Sequence, residues 1–431
     1  MSLKTHLVRR EPADVPTLGA DIAVLGAGIA GVSAALEAAS LGRRVVLIDA
    51  APALGGQSVG AMVGTFCGLF ANGPSPRQVT HGIADRILAD LGVAGALHYL
   101  HRRRNTTIVQ YKVSALARWI EEAVRGTSVV PLLGAVLSAV ERDGRRLKAL
   151  RLATRYGELK VEATGFVDAS GDAALAWSAG LAVREPVEPI YGTLMFTLEG
   201  VERAALAALP LRELHERLGA RGAAYGLVRR DGFAFAFPGE GDWADEVLVN
   251  MTHIETPLDP VSTSRLVLEG RAQVDRLVLF LRAEFPLAFG SSRVKAYGFP
   301  GVRQTRWIEG RHQLTTEEVR QGVVFADRIA RCSWPIELHD RAEGVRWEEF
   351  GDDHMHYIPL GAMLPREADN LIAAGRTVDG DPAALSSVRV MGPCIAMGAA
   401  AAHALDLMGS GAVDQIDIAA LQCRIRANLE D

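Results

Sequence analysis

The chain has 431 residues, 49% of them hydrophobic, enough to bury a large core and to divide into two or three domains. Its 46 lysines and arginines against 51 aspartates and glutamates leave a net charge of −5, so no bulk charge recruits nucleic acid or an anionic membrane. Cys67, Cys332, Cys394 and Cys423 stand far apart, which excludes a Cys-x-x-Cys pair and a zinc-spaced cluster and fits a reducing, cytoplasmic setting.

Met1 to Thr17 carries Lys4, Arg9 and Arg10 without an apolar stretch and reads as a polar lead-in, not a signal peptide. Asp21 to Leu25 is a short apolar run ending at Gly26, the pattern of a buried parallel strand. Ile29 to Leu41 is rich in Ala and Leu and predicts a helix, stopped at Gly42. Arg44 to Asp49 predicts a second strand and completes a βαβ unit. Leu54 to Gly73 is Gly-rich and irregular. Helices are expected over Thr80 to Asp90 and Ser114 to Val124, and the basic run Arg102-Arg103-Arg104 between them reads as a solvated loop.

Three β-rich runs follow, Val129 to Leu133, Val136 to Arg142 and Leu147 to Thr154, with a hairpin signal at Asp143-Gly144. They predict a three-stranded β-meander. Thr164 to Asp172 reads as a strand entering a Gly/Asp turn. From Leu181 the pattern changes: Thr193 to Leu198, Phe233 to Phe237 and Glu246 to Ile254 alternate like antiparallel strands, around a long amphipathic helix from Ser262 to Glu284. Asn370 to Arg376 then returns to a strand ending at glycine. Met391 to Met408 is Ala- and Gly-rich but contains His403 and Asp406, so a buried helix fits it better than a membrane span. The fold class expected is α/β: a Rossmann-like dinucleotide-binding domain with a parallel sheet and the meander, plus an inserted α+β substrate domain with a mostly antiparallel sheet. Residues 1–180 and 300–431 form the first, and residues 181–299 the second.

Gly26-Ala27-Gly28-Ile29-Ala30-Gly31 matches G-x-G-x-x-G between a strand and a helix. The first glycine permits the tight turn, the second lets backbone approach a pyrophosphate, and the third packs helix on strand. The helix N-terminus offers N–H groups and a positive dipole end to phosphate. Asp49 closes the next strand, where a carboxylate accepts hydrogen bonds from an adenosine ribose. This fingerprint does not choose between FAD and NAD.

Three further segments do, through a family resemblance. They are Leu54-Gly55-Gly56-Gln57-Ser58, Val167 to Asp172, and Asn370 to Arg376 followed by Ser387-Val388-Arg389-Val390-Met391. With Gly301 to Arg306, Leu314 to Val319 and Trp334-Pro335-Ile336, the chain from Asp21 to Leu407 resembles the FAD-dependent oxidoreductases related to the fumarate reductase and succinate dehydrogenase flavoproteins. The resemblance implies that Gly26 to Gly31 and Asp49 hold the ADP half of FAD and that Val136 meets the adenine through its backbone. It implies that Gly55, Gly56, Gln57 and Ser58, with Ala169, Ser170 and Gly171, line the pyrophosphate and ribityl chain. Gly375, Arg376, Val388, Arg389, Val390 and Met391 would border the flavin, and the helix from Gly392 would aim its N-terminus at the ring. Gln57 or Ser58 stands where some relatives carry a linking histidine, so the flavin is expected to be non-covalent. Leu360-Gly361 replaces a polar Tyr-Arg pair of that family.

No second G-x-G-x-x-G and no paired cysteines are present, which disfavours two-dinucleotide reductases and disulfide reductases. The expectation is a single-flavin dehydrogenase or oxidase exchanging a hydride with a small, carboxylate-bearing molecule and served by an external electron donor or acceptor. An FAD monooxygenase and an electron-relay subunit of a larger complex stay open, as does a homo-oligomer. Arg303 and Arg306 are candidates to clamp a substrate carboxylate, against a role in structural ion pairs. His354 and His356, two apart and so on one face of a strand, are candidate bases tuned by Asp352 or Asp353, against structural histidines. No metal site is expected, and Cys67 reads as a small packing residue near the flavin.

Overall fold

Strand β1 (Ile22–Leu25) and strand β2 (Val45–Asp49) flank helix α1 (Ile29–Ser40) as the periodicity predicts, and Gly42 takes the left-handed conformation just beyond the helix. The computed structural model describes residues 4–8, 14–101, 106–237 and 246–430; Arg102-Arg103-Arg104 and the lead-in's Arg9 and Arg10 lie outside them. The run at 129–133 forms strand β3 (Val130–Leu133), but it pairs parallel with β2 instead of opening the meander. The meander is β4 (Val136–Asp143), β5 (Arg146–Thr154) and β6 (Gly157–Glu162), and Thr17–Gly19 adds a parallel edge to β6. A β-rich run announces a strand but not its partner, so its sequence does not tell a meander strand from an edge of the parallel sheet. Strand β7 (Gly165–Asp168) lies parallel to β1 on the side away from β2.

The inserted region builds its own sheet and core. Strands β8 (Thr193–Glu199), β9 (Phe233–Ala236), β10 (Val247–Asn250) and β11 (Arg293–Gly301) make an antiparallel sheet in the order β9-β10-β8-β11. Helix α2 (Leu266–Glu284) covers it, burying Val274, Leu277, Phe280 and Leu281 against Phe196 and Val249. The chain then forms the hairpin β12 (Ile336–Arg341) and β13 (Gly344–Glu348). It closes the first sheet with β14 (Leu371–Ala373), giving the parallel order β14-β7-β1-β2-β3. The chain leaves β1 toward β2 on one side and returns as β7 on the other. The end of β1 is therefore a topological switch point, the place where open parallel sheets bind ligands.

Helix α3 (Met391–Met408) packs along α1. By length and composition it could cross a membrane, but 78% of it is buried inside the fold. Small residues allow the close approach. A Cβ on Gly398 would sit 2.2 Å from the Ala30 carbonyl oxygen, and Ser33 Oγ donates to the Ile395 carbonyl at 2.8 Å. Neither contact can yield without moving the N-terminus of α1. Gly398→Val is therefore expected to cost about 1–3 kcal/mol as an overpacking change and to lower the thermal midpoint. An unchanged midpoint would show that the two helices are not clamped here.

Candidate active site

A cleft of about 430 Å³ runs from the end of β1 and β2 to the inserted sheet and β12. Its outer half is made by the glycine loop. Asp49 accepts the Ala27 N–H at 2.6 Å and the Ala51 N–H at 2.8 Å, while the Gly55 N–H donates to the Ala27 carbonyl at 2.8 Å. These bonds tie two loops and the end of β2 together. A Cβ on Gly31 would meet the Gly26 carbonyl at 1.8 Å, and one on Gly56 the Gly28 Cα at 2.8 Å, so both positions require glycine for packing. At Gly28 a Cβ meets nothing within 4 Å; it would project into the cleft.

Most of the predicted cofactor residues line this cleft: Gly26, Gly28, Ile29, Ala30 and Asp49, then Gly56, Gln57 and Ser58, and Ala169, Ser170 and Gly171. Gly375, Arg376, Arg389, Val390 and Met391 line it from the C-terminal segment. Ala27, Gly31, Gly55, Val136 and Val388 are not among its lining residues. Ala27 and Gly55 tie the loops, Gly31 packs beneath Gly26, Val388 is fully buried, and the Val136 side chain is exposed. Asp168 does not face the cleft. Its buried carboxylate accepts from Ser170 and from the Leu175 and Ala176 N–H groups, and so shapes the turn that presents Ser170 and Gly171. The first turn of α3 borders the cleft, but its Gly392 N–H is already bonded to the Cys67 carbonyl.

The cleft fits a dinucleotide by two tests that need no ligand. One is the empty approach over Gly28. The other is Arg376, whose buried Nη1 has no hydrogen-bond acceptor and meets only Asp172 Oδ1, at 3.8 Å; a guanidinium so placed beside a cleft can still take an oxygen-rich group.

The inner half carries two charges that the sequence reading names, Arg303 and Arg389, and two titratable groups that it missed, Glu337 and His339. Arg303 lines it, as predicted, with Nη1 donating to the Tyr191 carbonyl at 2.8 Å. Arg389 lines it as well, with Nη2 bonded to the Glu337 carbonyl at 3.4 Å. Neither forms an ion pair with a carboxylate among the described residues. Loss of water, then repulsion by Arg229 and Arg389, pushes Arg303 down to about 9, and loss of water, offset in part by the attraction of Glu337, pushes Arg389 down to about 10. Both remain cationic at neutral pH. Glu337 and His339, two apart on β12, face the same cavity beside Trp334, and His339 Nε2 lies 3.3 Å from Glu337 Oε1. Their i, i+2 spacing was the available signal, but it is the same spacing that singled out His354 and His356.

Those two histidines, and Arg306, are not among the cleft's lining residues, which corrects the expectation that they face substrate. His356 is fully buried, bonded to Ser387 Oγ at 2.9 Å and to His354 at 3.2 Å, and burial holds it down to about 3. His354 stacks on Phe350. Burial, not an aspartate, is the leading influence on both rings. Arg306 pairs with Glu185 at 2.7 Å and lies over Trp177, the structural role that was its alternative. Leu360 and Gly361 also stand outside the cleft lining, so the polar pair missing there does not thin the site. Cys67 and Cys394 do line it.

The family model described as FAD dependent oxidoreductase matches residues 21–425. No curated protein matches the chain. Among solved structures, a geranylgeranyl bacteriochlorophyll reductase-like protein from Thermoplasma acidophilum is 12% identical, with 95% of this chain and 83% of that one covered at TM-score 0.47. The p-nitrophenol 4-monooxygenase PnpA of Pseudomonas putida is 12% identical, with 96% and 82% covered at TM-score 0.45. PqsL of Pseudomonas aeruginosa, described as a probable FAD-dependent monooxygenase, is 15% identical, with 95% and 93% covered at TM-score 0.42.

Gly28 separates binding from folding. Gly28→Leu is expected to leave the melting temperature of the cofactor-free protein within experimental error, because a Cβ at this position meets nothing within 4 Å, and to abolish flavin binding in a fluorescence titration. Undiminished binding would mean that the cofactor does not pass over this loop.

Proposed function

The chain belongs to the FAD dependent oxidoreductase family, and on that premise we propose that it exchanges a hydride between non-covalent FAD and a small organic substrate carrying a carboxylate. The observation that carries the substrate half is the pair Arg303 and Arg389, two cleft-lining guanidiniums whose hydrogen bonds go to backbone carbonyls and not to a carboxylate. Guanidinium binds a carboxylate through paired hydrogen bonds, and more strongly where water is excluded.

When bound, FAD supplies the two-electron redox chemistry. The chain's residues do the rest. The glycine loop, Asp49, Gly56 to Ser58 and Arg376 would hold the cofactor, with the Val136 backbone beside the adenine. Arg303 and Arg389 would orient the substrate's anionic end. Trp334 and Phe233 give the cleft aromatic walls. Glu337 and His339 are the titratable pair within reach of a substrate there, a role that neither His354 nor His356 fills.

Residues 1–180 and 300–431 are the cofactor domain in this reading, and residues 181–299 cover the substrate. The finer kinship with the fumarate reductase and succinate dehydrogenase flavoproteins rests on Gly55-Gly56 and on Ser387 to Met391. The four free cysteines suit a reducing, cytoplasmic setting, and the partners are the small-molecule substrate and an external electron donor or acceptor.

The test is a titration of the flavin-loaded protein with small mono- and dicarboxylates, read by the flavin absorbance. Binding is expected to perturb the spectrum. Arg303→Met should weaken it roughly tenfold to 150-fold, the worth of a hydrogen bond to a charged group, with flavin content unchanged. Equal affinity in the variant would remove the carboxylate from the proposal. Bleaching of the flavin by NAD(P)H alone would point instead to a monooxygenase.

A further inference from the structure

The inserted sheet has two faces. Val247 and Val249 of β10 pack in the core under helix α2, with Leu194 and Phe196 of β8. Side chains alternate along a strand, so Asn250, Thr193 and Met195 face the other way, and with Phe233 they line the cleft. Phe233 stands opposite Asn250 in the β9–β10 register. Asn250 is half-buried, and the two ends of its amide are not equivalent. Its Oδ1 accepts from Arg229 Nη1 at 3.0 Å and from Thr193 Oγ1 at 3.1 Å. A guanidinium can only donate, so the atom it meets is the amide oxygen, and Nδ2 is the end left over. Among the described residues nothing accepts from Nδ2, and that atom is not buried. It is a hydrogen-bond donor open to the cleft.

The support behind this amide is fixed. Arg229 is buried, pairs with Asp231 at 2.6 Å and donates to the Thr252 carbonyl at 2.7 Å. Asp231 in turn accepts the Val345 N–H of β13 at 2.9 Å. Were Asn250 only a seat for Arg229, a carboxylate would hold that guanidinium more strongly. The amide keeps a donor on its open side instead. That donor stands near one of the two cleft arginines: Arg303 is bonded to the Tyr191 carbonyl, two residues before the Thr193 that holds Asn250.

We propose that Asn250 is a substrate-binding residue, and that its Nδ2 donates to an oxygen of the substrate other than the carboxylate held by the arginines. The substrate class is then an oxo acid or a hydroxy acid. An unsubstituted acid would fill the same space and leave the donor without a partner, which is how a site built to hydrogen-bond one oxygen rejects the analogue that lacks it. Asn250 makes and breaks no covalent bond in this role; it orients. The carboxylate part of the class rests on the function proposed above, whereas the open amide donor does not.

The test uses FAD-loaded protein and matched ligands: pyruvate and lactate against propionate, and acetoacetate against butyrate. Affinity is read from the flavin absorbance, and the Asn250 amide from ¹H–¹⁵N spectra of asparagine-labelled protein, assigned through N250D or N250S. Asn250→Asp keeps an oxygen for Arg229 and turns the open donor into an acceptor. The wild type is expected to favour the better-fitting oxygen-bearing acid by roughly tenfold, the upper end for a neutral hydrogen bond, and the Asn250 amide resonances to shift on binding. N250D should keep its flavin content and melting temperature and lose the preference. No preference in the wild type together with an unmoved amide overturns the proposal, as does a preference that N250D retains. The wild-type spectra decide even if N250D does not fold. Methyl pyruvate and lactamide, which keep the oxygen without the charge, separate the two readings. If they shift the Asn250 amide while every carboxylate leaves the flavin unperturbed, Asn250 stands and the carboxylate falls. Carboxylates that bind through Arg303 with the Asn250 amide unmoved give the reverse.

Discussion

The Ala27 N–H bonded to the Asp49 carboxylate is the constraint on which the rest of the site depends. It fixes the glycine loop to the end of β2 and so sets where α1 begins. The N-terminus of α1 in turn decides how closely α3 can pack, because Gly398 lies against the Ala30 carbonyl. Through that packing the C-terminal segment carrying Gly375, Arg376 and Arg389 reaches the same cleft. Asp49 is thus more than a ribose acceptor. Its carboxylate is committed to two backbone N–H groups before any nucleotide arrives, and removing it would loosen the loop as well as the ligand.

The two halves of the cleft use opposite strategies. The outer half presents backbone: glycines without side chains, free first-turn N–H groups and a helix dipole, all suited to phosphate. The inner half presents side-chain charge, from Arg303, Glu337 and Arg389. Two half-buried arginines without an ion pair carry a desolvation cost, and they stand near the Glu337–His339–His253 contacts. That cost is reasonable where a ligand supplies the missing negative charge, which is why buried perturbed charges gather at functional sites.

The sequence made the outer half readable because its signals are local. Gly26 to Gly31, Asp49, Gly56 to Ser58 and the closing helix each carry their meaning in a few neighbouring residues. The inner half is tertiary. Glu337 and His339 become a site only when His253, 86 positions from His339, supplies the next hydrogen bond and when Arg303 and Arg389 arrive from two other segments. The pattern histidine-x-histidine at His354 and His356 looked just as chemical, yet it folded into the wall beside Ser387. Spacing tells which side chains share a face and not which face is buried. The same limit explains Val130–Leu133, whose β character was plain but whose parallel partner β2 was not, and the missed pair Leu97–His101 and Thr107–Tyr111, which is interrupted by the basic run.

The central claim is that one cleft joins an FAD site to an anion-binding inner end. A crystal structure of the flavin-loaded protein with a small organic carboxylate tests it most directly. FAD is expected to extend over Gly28 and Asp49, with the carboxylate between Arg303 and Arg389 and within reach of Glu337. Flavin lying away from the glycine loop, or a carboxylate bound elsewhere and touching neither arginine, would contradict it.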